Sequence, residues 1–509
     1  MKTKLIYGIV ILFLVLSCDS SFEDLNYNYN NVNTDEAAHP SLLLRGTMLA
    51  DIAINNSHLQ RIAGMWTGQY RGEIALYLGL YNYDISSSES DSAWTYLYNG
   101  MLKQFSEINK YYAINGMDDQ GQQITGICEV LEAHAVGTAT SIWGDIPYYE
   151  AVNPAISDPV FDKQKIIYGA LQKKLDTAID RLNKLKNTLP ADEKLPLAQD
   201  IFFAGDIDKW LKTAYTLKAR YYLQTREYAE ARAAALKGIS VNAESMKFTP
   251  PIKVGTTASA DTGTENLLHR FMVGTRIGFL SVKNTFCRNL LDTNANSTIS
   301  RRNTKTNESA RRNHLNAGVI SGTSTKTIIN GETKPMDLVT YQENLLILAE
   351  TGARTVSFDE GLLQLNKVRV VFLASADSFV PRTTTSLKDT KEVLPIGTLP
   401  IENIKLYTAY VAADFASGGM ENKDNIDRTR ALLREIIEER YVTGFGTFMP
   451  WNDARRLRKS EPDIAVPIPF NNATATKHPE RFIISQDEIN SNSNAPKGLT
   501  IYSPTELNE

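Results

Sequence analysis

Two stretches of helical periodicity, residues 207–224 and 228–237, are separated only by Thr225-Arg226-Glu227. Helices joined by so short a turn must lie antiparallel. Along the pair, Ala214, Ala219 and Ala231 are small where the helices approach, while Tyr221, Leu223 and Tyr228 are placed to lock over the turn. One hairpin cannot bury its own apolar face, so several must stack into a shared core. Partners are at hand. Ile127, Leu131, His134, Ala135, Thr138 and Ile142 recur at helical steps, as do Ile167, Leu171, Leu175, Ile179 and Leu182. Further periodic segments run over 339–350, 358–372, 401–415 and 429–441.

These segments predict an all-α, mainly helical fold: a tetratricopeptide-like scaffold of helix pairs, mainly in 34–240 and 336–445, carrying an irregular loop-rich lobe. No strict repeat period is present, and a plain helical bundle is the competing arrangement. Residues 241–335 and 373–400 are rich in Thr, Asn, Ser and Gly, and read as excursions from the helical body with a few short strands. The basic run at Arg301, Arg302, Arg311 and Arg312 is diluted by Asn and Thr, and reads as a solvated loop.

The N-terminus bears on location. Lys2 and Lys4 precede twelve apolar residues, Leu5 to Leu16, followed at once by Ser17-Cys18. Spanning a bilayer takes about 20 apolar residues, so this run fits a signal peptide over 1–17 instead. Val15-Leu16-Ser17-Cys18 is similar to the lipobox of bacterial lipoproteins, which makes Cys18 the expected lipidation site and 18–33 a tether to the body, 34–509. The 54 basic residues less Lys2 and Lys4 leave 52 against 58 acidic, a formal charge of -6. A mildly acidic surface repels phosphate backbones, which argues against a nucleic-acid partner.

Nothing in the sequence marks a catalytic centre. His39, His58, His134, His269, His314 and His478 form no HExxH or HxH unit, and His134 sits on an apolar helix where a hydrogen-bonded core histidine is expected. No GxSxG elbow, GxxxxGK[ST] loop or GxGxxG fingerprint is present. No catalytic residue, metal ligand or cofactor is assigned. After Cys18, Cys128 and Cys287 remain, and both lie among apolar neighbours, as buried thiols do. In Trp143-Gly144-Asp145-Ile146-Pro147-Tyr148-Tyr149, Gly144 can end a helix, Asp145 can hold the turn backbone and Pro147 stops continuation, so the segment reads as a structural corner. Near the C-terminus, Arg455 or Arg456 is expected to pair with Glu438 or Glu439.

The candidate ligand site is the aromatic stretch 66–83. Trp66, Tyr70 and Tyr81 offer flat apolar faces for stacking on sugar C–H surfaces, and Gln69, Arg71 and Asn82 offer hydrogen bonds. Trp66, Tyr70 and Tyr77 also fall at helix-like steps, so a core stripe competes with the binding role, and partner contact is a third reading.

The lipobox at Cys18, the corner Trp143-Gly144-Asp145-Ile146-Pro147, the helix Ala219-Arg220-Tyr221-Tyr222 followed by Tyr228-Ala229-Glu230-Ala231, and Glu438-Glu439-Arg440-Tyr441 with Trp451-Asn452-Asp453-Ala454-Arg455-Arg456 occur in order along the chain. Together they resemble the SusD/RagB family of outer-membrane nutrient-binding lipoproteins of Bacteroidetes, in a divergent branch because the last element is less compact than is common there. The resemblance implies a non-enzymatic protein without cofactors, lipid-anchored on the extracellular face of the outer membrane. Its implied partner is a SusC-like TonB-dependent transporter, and its ligand an oligosaccharide or, in some branches, a peptide. A surface glycan hydrolase is the alternative from another class.

Overall fold

The computed structural model describes residues 39–190, 195–250, 266–272, 276–292, 299–308, 311–312, 315, 334–374 and 406–509. Cys18, the signal segment 1–17 and the tether 18–33 lie outside the described residues, as do parts of both loop-rich excursions.

The longer helices are α1 (Pro40–Asn55), α2 (His58–Trp66), α3 (Ala75–Tyr81), α4 (Lys103–Asn115), α5 (Asp119–Trp143), α6 (Gln164–Thr188), α7 (Ile207–Gln224), α8 (Tyr228–Ala235), α9 (Tyr341–Thr355), α10 (Phe358–Ala374), α11 (Arg428–Thr443) and α12 (Met449–Arg458). Several starts are encoded locally. Asp118 accepts from the Gly121 backbone N–H, Asp206 from Lys209, Thr340 from Glu343, and Asp427 from Thr429 and Arg430, each occupying a donor that the first helical turn leaves without a partner.

The helices pack as antiparallel neighbours, α5 with α6, α7 with α8 and α9 with α10, and the pairs stack through α6 on α7, α8 on α9 and α9 on α11. This is the tetratricopeptide-like scaffold, and α1 lies along α5 to close its first layer. Close approach depends on small residues: a side chain at Gly137 of α5 would fall on the ring of Tyr221 from α7. That ring is held by a 2.7 Å hydrogen bond from its hydroxyl to the Ala133 carbonyl. His134 is a buried core histidine whose Nδ1 lies 2.9 Å from Asp51, joining α5 to α1.

The described strands are short and pair antiparallel: β1 (Arg71–Gly72) with β3 (Leu280–Ser281), β2 (Met246–Phe248) with β5 (Met336–Val339), and β4 (Thr306–Asn307) with β6 (Leu406–Tyr407). The segment expected to be a helix over 401–415 is not one where it is described. Leu406–Tyr407 is strand β6 and Ala412–Phe415 a single 3-10 turn. Its apolar residues Tyr407, Tyr410 and Phe415 are buried, so their spacing reflects packing of an irregular segment against α10 and α11.

Gly144 closes α5 with φ +83°, a backbone conformation that disfavours any side chain. Asp145 works across the corner, accepting from the Gln164 backbone N–H at 3.0 Å and from the Lys163 ammonium at 2.7 Å, so it begins α6 instead of bracing its own turn. Cys128 and Cys287 are both buried free thiols. No helix among the described residues is long and apolar enough to cross a membrane.

Candidate functional site

The aromatic stretch 66–83 is not one helix. Trp66 ends α2, Gln69 and Tyr70 lie in the following turn, Arg71 opens β1, and Tyr77 and Tyr81 belong to α3. The turn needs Gly68 at φ +70°, and the break separates the candidate residues into an inner and an outer set.

The inner set is core. The Trp66 ring stacks on Phe482 with centroids 4.8 Å apart and meets Trp451 at 5.5 Å, while its indole N–H donates to the Leu80 carbonyl. Gln69 is fully buried and accepts from the Gly446 backbone N–H. Tyr70 is fully buried edge-on to Phe445, and burial pushes its hydroxyl pKa well up. None of these three presents a ring or amide to solvent.

The outer set lies at the surface. The Arg71 guanidinium sits over the Tyr81 ring at 5.8 Å and pairs with Glu73 at 3.4 Å. Tyr81 is half-buried, with a pKa raised by burial, lowered by Arg71 and raised by Glu73. Asn82 is exposed at the end of α3. Sequence reasoning missed their neighbours on the paired strand. Ser281 donates to Glu73 and pairs with Arg71 across the ladder, and the Arg276 guanidinium covers Phe279 at 5.6 Å. Some 200 residues separate Arg71 from this strand, and no local pattern links them. Ile74, Leu76, Leu78 and Ile277 add exposed apolar surface on the same two segments.

Behind this edge the scaffold is tied by buried ion pairs. Glu350 of α9 is wholly buried among Arg440, Arg456 and Arg354, and these hold its carboxyl well below the ordinary range against the cost of burial. Arg440 and Arg456 also meet Asp453. Arg456 therefore pairs with Glu350 and Asp453, and Arg455 with Asn452 and the Glu480 carbonyl, instead of with Glu438 or Glu439. Those glutamates face Arg301, which also meets Glu308 and Glu435, while Arg311 joins Glu308 to Glu439. Arg301, Arg311 and Arg312 are each buried, which overturns the reading of a solvated loop for these three, while Arg302 is exposed. Glu308 is a near neighbour in the chain, but the other carboxylates that bury Arg301 and Arg311, Glu435 and Glu439, lie more than a hundred residues away on α11, beyond any local signal.

A cavity of about 400 Å³ opens where α1, α5 and α7 meet strand β5 and the α11–α12 turn. No group of three or more His, Cys, Asp or Glu among the described residues could hold a metal ion.

The chain belongs to the SusD-like family described as "Starch-binding associating with outer membrane", which it matches over residues 31–359. It is accordingly a binding protein and not an enzyme, from a family that acts at the outer membrane beside a TonB-dependent transporter. The fold is similar to that of a SusD/RagB family protein from Bacteroides thetaiotaomicron, at 18% identity and TM-score 0.59 over 92% of this chain and 98% of that one. It is also similar to a SusD homolog from Bacteroides uniformis, at 15% identity and TM-score 0.61 over 93% and 100%. A chitin-binding SusD homolog from Flavobacterium johnsoniae aligns at 15% identity and TM-score 0.60 over 91% and 98%. No curated protein matches the sequence.

Proposed function

We propose that the chain is a lipoprotein anchored through Cys18 on the extracellular face of the outer membrane, where it captures an oligosaccharide for a SusC-like TonB-dependent transporter. The observation behind the ligand class is the outer edge at Arg71, Tyr81 and Asn82. A half-buried tyrosine ring, its hydroxyl, a guanidinium and an exposed amide share one surface there. A sugar presents alternating C–H faces and hydroxyls, and such a surface stacks on the first and hydrogen-bonds the second. The family description names starch, and one protein of similar fold binds chitin, which favours glycan over peptide. Trp66 supports this edge from within through its hydrogen bond to the Leu80 carbonyl of α3, while Gln69 and Tyr70 pack the turn before it against Gly446 and Phe445. The transporter is met by the broad helical face.

Isothermal titration against a panel of oligosaccharides and peptides tests the reading. An oligosaccharide should bind, and Tyr81→Ala should weaken it about tenfold with folding intact, the scale of one lost aromatic contact with a hydrogen bond. Peptide binding without glycan binding, or unchanged glycan affinity in a folded Tyr81→Ala variant, would overturn it.

A further inference from the structure

The cavity beside α1, α5 and α7 does not belong to the outer edge, since none of Arg71, Tyr81 or Asn82 lines it. Its volume of about 400 Å³ falls in the range of small-molecule sites, roughly 300–1,000 Å³. Part of its wall is satisfied internally. Thr138 donates to Asn55 at 2.7 Å, and Arg220 clasps Glu343 with two hydrogen bonds of 2.6 and 2.7 Å.

Other lining groups are not satisfied. Gln60 is 2% exposed and its amide nitrogen has no hydrogen-bond partner. The Tyr70 hydroxyl, beside Gly446 of the wall, is near enough to Gln60 to feel its dipole, but no hydrogen bond of acceptable geometry joins them. Arg440 is 1% exposed. Its Nε and one terminal nitrogen reach Asp453 and Glu350, and the other terminal nitrogen is unpartnered. Lys334 is partly buried and forms no ion pair among the described residues; burial lowers its pKa, Asp337 opposes that shift and Lys247 adds to it. A buried donor without an acceptor costs about 1–3 kcal/mol, more when charged, so such groups mark a place for an occupant.

The unpartnered Gln60 amide and Arg440 guanidinium N–H groups are donors, the Tyr70 hydroxyl beside them can donate or accept, and the partly exposed Lys334 adds an ammonium. Phe445, Phe448 and Tyr221 supply apolar faces between them. We propose that this cavity is a second, enclosed ligand site that takes a small acidic sugar, a uronate of one or two rings. Its carboxylate would meet Lys334, and its ring and hydroxyl oxygens the Gln60 and Arg440 donors. The site goes beyond capture at the outer edge and stands whether or not that reading holds.

The full-length protein is titrated with galacturonate and digalacturonate, with glucose and maltose as neutral controls. The acidic sugars should bind, the neutral ones at least tenfold more weakly, and Gln60→Leu and Lys334→Met should each lose about tenfold in affinity while Tyr81→Ala changes nothing. Lys334 lies nearer the rim than Gln60, so Lys334→Met keeps the test decisive should Gln60→Leu unfold. A crystal grown with digalacturonate should show it between Phe445 and Gln60. No uronate binding, loss of that binding in Tyr81→Ala alone, or a cavity holding only water would each overturn the assignment.

Discussion

Glu350 places a carboxylate with no solvent contact among three arginines, and the whole cluster depends on it. Removing one partner of a buried ionic network leaves the others as uncompensated buried charges, at about 3–5 kcal/mol. Glu350→Ala should therefore lower the unfolding free energy by that much, read as a lower denaturant midpoint at unchanged slope, and a loss below about 1 kcal/mol would contradict the buried network. Glu438 behaves oppositely. Burial pushes its carboxyl up to about 7 from 4.5, Arg301 opposes the shift, and Glu421, Glu439 and Glu308 reinforce it. Because the folded pKa lies above the unfolded one, the folded state holds the extra proton between about pH 4.5 and 7. Stability from this group is thus fully present below pH 4.5 and is lost as pH rises through 7. Glu438→Gln should leave the melting temperature at pH 5 nearly unchanged and raise stability at pH 8 by about 1–3 kcal/mol, read by thermal melts at both values. Arg301 retains Glu308, Glu435 and Glu439 in that variant, so the gain is not offset by an orphaned guanidinium.

At the level of elements, the α5–α7 contact depends on Gly137. A methyl group there meets the Tyr221 ring, which cannot swing away without breaking its hydrogen bond to Ala133. Gly137→Ala gains a little helix propensity but overpacks a fixed contact, and the second effect wins, for a net loss of about 1–3 kcal/mol in chemical denaturation. A neutral or stabilising result would mean that α5 and α7 approach less closely. Most helices could be read from the chain, because periodicity and capping residues act over one or two turns: the periodic residues Ile167 to Leu182 lie within α6, and the expected segment 429–441 within α11. The segment 401–415 misled, since an irregular segment that buries Tyr407, Tyr410 and Phe415 can imitate a helical step. In the stretch 66–83 the core-stripe alternative fits the burial, although not on one helix. Trp66, Tyr70 and Tyr77 have helix-like spacing but lie on α2, a turn and α3, and all three are buried.

For the molecule as a whole, the lipobox reading makes attachment a matter of one atom. Cys18→Ala should move the protein from the membrane fraction to the soluble fraction with its far-ultraviolet dichroism unchanged and dominated by helix; unchanged partitioning would refute lipid anchoring at Cys18. Short-range chemistry was sufficient to establish that the chain is a stack of helix pairs, because helix periodicity, end caps and hairpin turns are each written within a few neighbouring residues. The division of Trp66, Gln69 and Tyr70 from Arg71, Tyr81 and Asn82 was not readable in that way. It depends on Phe482, Trp451 and Phe445 closing over the first three from nearly 400 residues away, and on Ser281 pairing beside Arg71. Likewise Arg301 and Arg311 look solvated until α11 supplies glutamates to them. Burial is a property of what packs against a residue, and that packing partner is set by the closure of the whole chain, not by the residues beside it.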